Sequence, residues 1–199
     1  MGLRILHVGS ADPIATAVSV ARLRALITGR KPQDIFIVPT SAVSNWCFAA
    51  AYSAHEGVPF LYVSHSDIPA ETERYLRTAP HANLYILAGE GQISRAVEDR
   101  LREVTSGRVT RITGDGPASS SVAFAKFKQG HFGWGRTKPN GDAFTFVAAD
   151  QWQAAASGAL LAHLGKHTPV LLIDSTVPEV VREYLASINP PEMHPPTPP

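Results

Sequence analysis

The stretch VPFLYVSHSDIPAETERYL (residues 58–76) returns about 110 residues later as TPVLLIDSTVPEVVREYL (168–185). Both copies carry a Pro ahead of an apolar strand, a short polar turn, a second Pro and a helix ending in Tyr-Leu. The correspondence extends upstream. IFIVPTSAVSNWCFAAAYSAH (35–55) matches FTFVAADQWQAAASGALLAH (144–163), each a β-branched and aromatic run leading into a small-residue helix that closes on Ala-His. Further back, ILHVGSADPIATAVSVA (5–21) matches RVTRITGDGPASSSVAFA (108–125), a strand followed by a Pro and a Ser/Thr-rich helix start. Three blocks in one order identify an internal duplication, so each segment is read twice.

Continuous apolar runs predict strands at 4–8, 34–38, 58–63, 83–87, 108–112, 143–148 and 169–173, a pattern expected of strands covered on both faces. Helices are predicted between them at 13–28, 44–56, 70–78, 94–105, 117–128, 151–164 and 178–187. Pro13 and Pro117 suit a first helical turn, where the missing N–H has no partner to lose. The alternation argues for an α/β fold of tandem βαβ repeats, with parallel sheets in three-layer, Rossmann-like sandwiches. Residues 1–106 form a complete first repeat, 107–188 an incomplete second repeat, and 189–199 a Pro-rich tail or linker. The fourth strand and helix of the first repeat, NLYILAGEGQISRAVEDRLREV, have no counterpart in the second.

The chain of 199 residues has a formal net charge of +1, so bulk charge offers no argument for nucleic acid. Its single cysteine, Cys47, rules out an intrachain disulfide framework and reads as an ordinary buried thiol. No stretch is apolar enough to span a membrane, and the N-terminus lacks the pattern of a signal peptide.

The blocks resemble the cell wall binding repeat 2 family, tandem modules that hold bacterial surface proteins on the wall. LYILAGEGQIS (84–94) resembles that family's strand ending in Gly-Gly, followed by a turn and Ile/Val-Ser. The family's leucine-rich strand is mirrored by Phe60, Leu61 and Tyr62, and more closely by Val170, Leu171 and Leu172. Its repeat start resembles Gly9 with Thr16 and Ala17, and Gly114 with Ser120 and Ser121. Two motifs depart: Asp12-Pro13-Ile14 and Gly116-Pro117-Ala118 replace Asp-Arg-Tyr, and the helix-opening Asp falls near Trp46 and Ala154. The resemblance implies a non-catalytic module for anchoring to an anionic cell-wall polymer, located at the cell wall or outside the cell. It also implies association with further repeats, or with itself, in threefold fashion.

Chemistry-bearing residues are few. Gly89 and Gly91 precede a helix, but Arg95 stands near where a dinucleotide-binding turn has its third glycine. A tight turn is the simpler reading, and no cofactor is expected. Ser64, His65, Ser66 and Asp67 follow the third strand without a nucleophile elbow, and read as a helix-capping turn. His55 and His163 occupy matching helix ends and read as caps or inter-repeat packing, not metal ligands. The stretch KFKQGHFGWGRTKPN (126–140) is longer than its counterpart RLRALITGRKPQ. It interleaves Lys126, Lys128, Arg136 and Lys138 with Phe127, His131, Phe132 and Trp134. Cations pair with phosphate or carboxylate and flat rings stack on sugars, so Lys126, Lys128, Trp134, Arg136 and Lys138 are candidate ligand-binding residues. The competing reading is a hairpin whose aromatics cover a repeat interface. Two other functions remain open. One is an intracellular domain binding a nucleotide or small metabolite at Ser10, Asp12, Thr40, Ser41, Asp150 and Asp174; the other is a structural assembly module.

Overall fold

A computed structural model describes residue 5 and residues 7–136, 143–163 and 167–188. The elements alternate as α1 (Pro13–Thr28), β1 (Asp34–Pro39), α2 (Ala50–Glu56), β2 (Phe60–Val63), α3 (Ala70–Leu76), β3 (Asn83–Ile86), α4 (Arg95–Val104), β4 (Val109–Arg111), α5 (Pro117–Lys126), β5 (Thr145–Ala148), α6 (Trp152–His163), β6 (Val170–Ile173) and α7 (Glu179–Ile188). Two parallel sheets result, one ordered β2-β1-β3-β4 and one, among the described residues, pairing β5 with β6. The expected α/β class with parallel sheets is what forms.

The central strand β1 explains the layering. All six of its residues are buried, and its alternate side chains enter different cores, as a pleat requires. Ile35 and Ile37 join α1, α3 and α4 on one face; Phe36 and Val38 face the other way. That second face is covered by α2 and also by Phe124, Phe132 and Trp134 from later in the chain. The earlier and later parts of the chain therefore share a hydrophobic core. A separate cluster of Val122, Ala125, Leu171, Val181 and Tyr184 joins α5, β6 and α7.

Three differences from the sequence expectations have physical causes. The strand expected at 4–8 lies partly outside the described residues; of those described, Ile5, His7 and Val8 are in no strand, with Ile5 79% exposed. Its counterpart β4 gains its hydrogen bonds from β3, with Leu84 opposite Val109 and Ile86 opposite Arg111. Residues 109–111 thus complete the first sheet, while Ile5 and residues 7–10 pair with no strand among the described residues. The first sheet therefore runs through β4. The helix expected over 44–56 starts instead as two 3-10 turns, Val43–Asn45 and Cys47–Ala49. Trp46 interrupts it at φ −138°, turning its ring onto Phe60 and Tyr62 at 5.3 and 6.0 Å. Helix α5 stops at Lys126 because Phe127 becomes extended and packs edge-on against Tyr85 at 5.8 Å. The Pro-rich segment 189–199 lies outside the described residues.

Cys47 donates to the Ser44 carbonyl at 3.7 Å within the shared core. Burial pushes its thiol up to about 11, against the smaller lowering by backbone hydrogen bonds. An aromatic disulfide reagent is therefore expected to label Cys47 no faster than the chain unfolds. Stoichiometric labelling of the native protein within seconds would contradict that burial.

Candidate anion-binding groove

The 126–136 segment does not form a solvent-facing aromatic platform. After α5, Gln129 and Phe132 bridge each other, and the chain turns back through Gly130 and Gly133. Gly133 has φ +103°, and a Cβ there would stand 2.2 Å from the Phe127 carbonyl oxygen, so only glycine fits. The Gly133 N–H donates to the Tyr52 hydroxyl at 2.8 Å. This path drives Phe132 onto Tyr85, stacked with centroids 3.6 Å apart. Trp134 follows it inside, fully buried against Tyr52 at 5.0 Å and His55 at 5.9 Å.

Of the candidate ligand-binding residues, Lys126 and Lys128 are exposed, and the Lys126 amine lies 5.1 Å over the Tyr184 ring. Trp134 offers no ring face to solvent. Arg136 closes a 3-10 turn, Trp134–Arg136; Lys138 lies outside the described residues.

The loop contributes its polar tip to a different place. His131 reaches back to Asp34, with Nε2 2.7 Å from Oδ2, while the Asn83 amide donates to Oδ1 at 2.9 Å. Asp34 and His131 border a groove of about 500 Å³ whose cations are Arg24, Arg30 and Lys31. These come from the end of α1 and the turn into β1. Gly29 closes that helix in the left-handed region at φ 65°, exposing Arg30 and Lys31 just beyond it. Arg24 lies against Gly57, where an added Cβ would stand 3.3 Å from its Nε. The carboxylates on the wall are Asp34, already engaged by Asn83 and His131, and Glu56, 3.7 Å from His55. Three cations beside preoccupied carboxylates suit a ligand bearing phosphate or carboxylate groups. The sequence signal was present in RLRALITGRK, the shorter counterpart of the longer loop.

A second opening, of about 410 Å³, lies at the carboxyl ends of β3 and β4, beside the point where strand order reverses. Nucleotides favour such a crevice in α/β folds. Here its one ionisable wall residue is Asp115, which repels phosphate. Gly89 and Gly91 line it, but neither has positive φ, and a Cβ on either would meet nothing within 4 Å. The turn does not require glycine; the Gly89 carbonyl holds it by accepting from Gln92 and Ile93, both at 3.0 Å. Of the residues considered for a metabolite site, Asp150 and Asp174 line a separate groove of about 450 Å³ after β5 and β6. Asp12 instead caps α1, accepting from the Ile14 N–H at 2.9 Å.

The other polar clusters are structural. Ser64 and Asp67 hydrogen-bond each other across their turn. His55 fills the inter-repeat surface between Trp134 and His167, the latter ring 5.0 Å away. The side chain of His163 lies outside the described residues. No described helix is long and apolar enough to cross a membrane.

No family model and no curated protein matches the chain. Solved structures do. Cwp6 from Clostridium difficile matches at 18% identity and a TM-score of 0.75, over 90% of this chain and 27% of its own length. Cwp8 from Clostridium difficile matches at 19% identity and a TM-score of 0.71, over 89% of this chain and 29% of its own. The chain thus spans less than a third of either of these structures. At these identities the likeness establishes the fold.

Proposed function

We propose that this chain is a non-catalytic module that associates with the bacterial cell wall by holding an anionic polymer. The observation that carries this reading is the fold match across nine tenths of the chain to two cell wall proteins. Fold alone does not specify a ligand. The chemistry comes from Arg24, Arg30 and Lys31, whose guanidinium and ammonium donors face an open groove. Exposed Lys126 and Lys128 offer a second proposed cationic contact, to which Arg136 and Lys138 are proposed to add from the sequence. The crevice near Asp115 gives less support to a nucleotide, because it places a carboxylate where phosphate would lie.

Co-sedimentation with purified walls tests the proposal. The chain should pellet with intact walls, less so as salt rises, and remain in solution once anionic polymers have been stripped. Reversing two exposed charges, R30E with K31E, should weaken binding on the order of tenfold while leaving the melting temperature unchanged. K126E with K128E tests the loop separately. Equal binding to intact and stripped walls would eliminate the anionic-polymer reading.

A further inference from the structure

A chain requires glycine where the backbone takes a positive φ, or where another atom already fills the space of a Cβ. Among the described residues, Gly89, Gly91 and Gly116 meet neither condition. None of them has a positive φ, and a Cβ on any of them would meet nothing within 4 Å. Every other described glycine has a positive φ or would bring a Cβ to 3.2 Å or closer from a neighbouring atom. All three exceptions line one opening, that of about 410 Å³ at the carboxyl ends of β3 and β4. Bare backbone beside open space leaves room for the close approach of a ligand.

The polar groups on the same wall are uncommitted. Among the described residues, the side chains of Asn45, Gln92 and Asp115 border the opening without a hydrogen-bond or ion-pair partner. Asn45 is set there by a strained turn. Ala42, the one described non-glycine residue with positive φ, stands at 54°, and its carbonyl accepts from the Asn45 N–H at 2.9 Å. The hydroxyls of Thr113 and Ser120 are engaged with the loop itself, at the Gly114 carbonyl and N–H, 3.1 and 3.0 Å away. They fix the rim and leave the two amides and the carboxylate for a ligand.

That donor and acceptor set selects a ligand class. Asp115 repels phosphate and carboxylate, and no cation on the wall offsets it. An ammonium group would be drawn to Asp115 but opposed by the partial positive charge at the start of α5, beside Gly116. Amides both donate and accept, and a carboxylate accepts, so the set suits groups that also do both. Adjacent alcohols on a ring are such groups, and the C–H face of the same ring can rest on bare glycine backbone. The volume falls in the range of small-molecule sites, about 300–1,000 Å³.

We propose that this opening binds an uncharged sugar, with its hydroxyls held by Asn45, Gln92 and Asp115 and its ring seated over Gly89, Gly91 and Gly116. The site stands apart from the groove of Arg24, Arg30 and Lys31, which lies at the opposite strand ends, where Asp34 begins β1. It therefore stands or falls independently of the anionic polymer.

Saturation-transfer NMR titrations with the methyl glycosides of glucose, galactose, mannose and N-acetylglucosamine test this. At least one of them should saturate, with a dissociation constant on the order of millimolar. Its binding should not change with salt, since no charge on the sugar is screened. Gly89→Ala with Gly91→Ala should melt no lower than the unaltered chain, because both methyl groups enter open space. Those methyl groups should nonetheless weaken the sugar at least about tenfold, and D115A should do the same by removing its acceptor. Failure of all four glycosides to saturate, binding that falls steeply with salt, or binding that either variant leaves unchanged would each overturn the proposal.

Discussion

Trp134→Ala is expected to cost about 3–5 kcal/mol of stability, the range for emptying an aromatic site in a core. For a chain of this size that lowers the melting temperature on the order of 10 °C. The ring is fully buried, packed at right angles to Tyr52 and stacked on His55. Removing it opens a cavity in the core that the earlier and later parts of the chain share. Urea unfolding should show a lower midpoint, and Trp134→Phe should recover part of the loss. A solvent-facing binding tryptophan would behave in the opposite way, losing affinity at constant stability. Unchanged unfolding in W134A would mean that the aromatic side chains of the loop do not hold the repeats together.

The second large effect is expected at Arg111→Ala. Arg111 closes β4 onto the first sheet, donating from Nε and Nη2 to Glu98 Oε2 at 2.9 and 2.7 Å, and from Nη1 to the Ala88 carbonyl at 2.5 Å. Both side chains are largely shielded, with 14% of Arg111 and 9% of Glu98 exposed. Removing the cation leaves a buried carboxylate with Arg102 as its remaining ion-pair partner, at a cost of about 3–5 kcal/mol at neutral pH. Burial by itself would raise the Glu98 carboxyl, but hydrogen bonds and charge from Arg111 and Arg102 hold it below its ordinary range. A depressed folded value stabilises the protein above the unfolded value, near about 4.3, and the contribution fades as pH falls through the folded one. The unaltered protein should therefore weaken on acidification below that point. In R111A the opposing burial dominates, so the deficit should be widest near neutrality and narrow in acid. Parallel urea titrations at neutral and acid pH measure it; a deficit independent of pH would detach Glu98 from the effect.

Much of the fold was legible because its signals are local. Apolar runs at β1 and β6, Pro13 and Pro117 opening helices, and the copied Pro-strand-turn-Pro pattern all depend on neighbouring residues. The candidate site was less legible. Interleaved cations and aromatics in 126–140 suggest a binding platform or an interface plug equally well, since both use the same residue types. Burial separates them: Phe132 and Trp134 turn inward, while Lys126 and Lys128 remain outside. Arg24, Arg30 and Lys31 gain their setting when His131, far along the chain, arrives at Asp34.

The sequence by itself determined the alternation of strands and helices, because periodicity and turn chemistry act over a few residues. Only the tertiary structure decided which edge receives each strand and which surface of each repeat is covered. Residues 7–10 and β4 belong to blocks of similar sequence, yet among the described residues it is β4 that pairs with a neighbouring strand. Val20 and Phe124 occupy equivalent helical positions, yet only Phe124 has Phe48 and Tyr52 packed over it. Such partners lie far away in the chain, and no local pattern encodes whether they will be present.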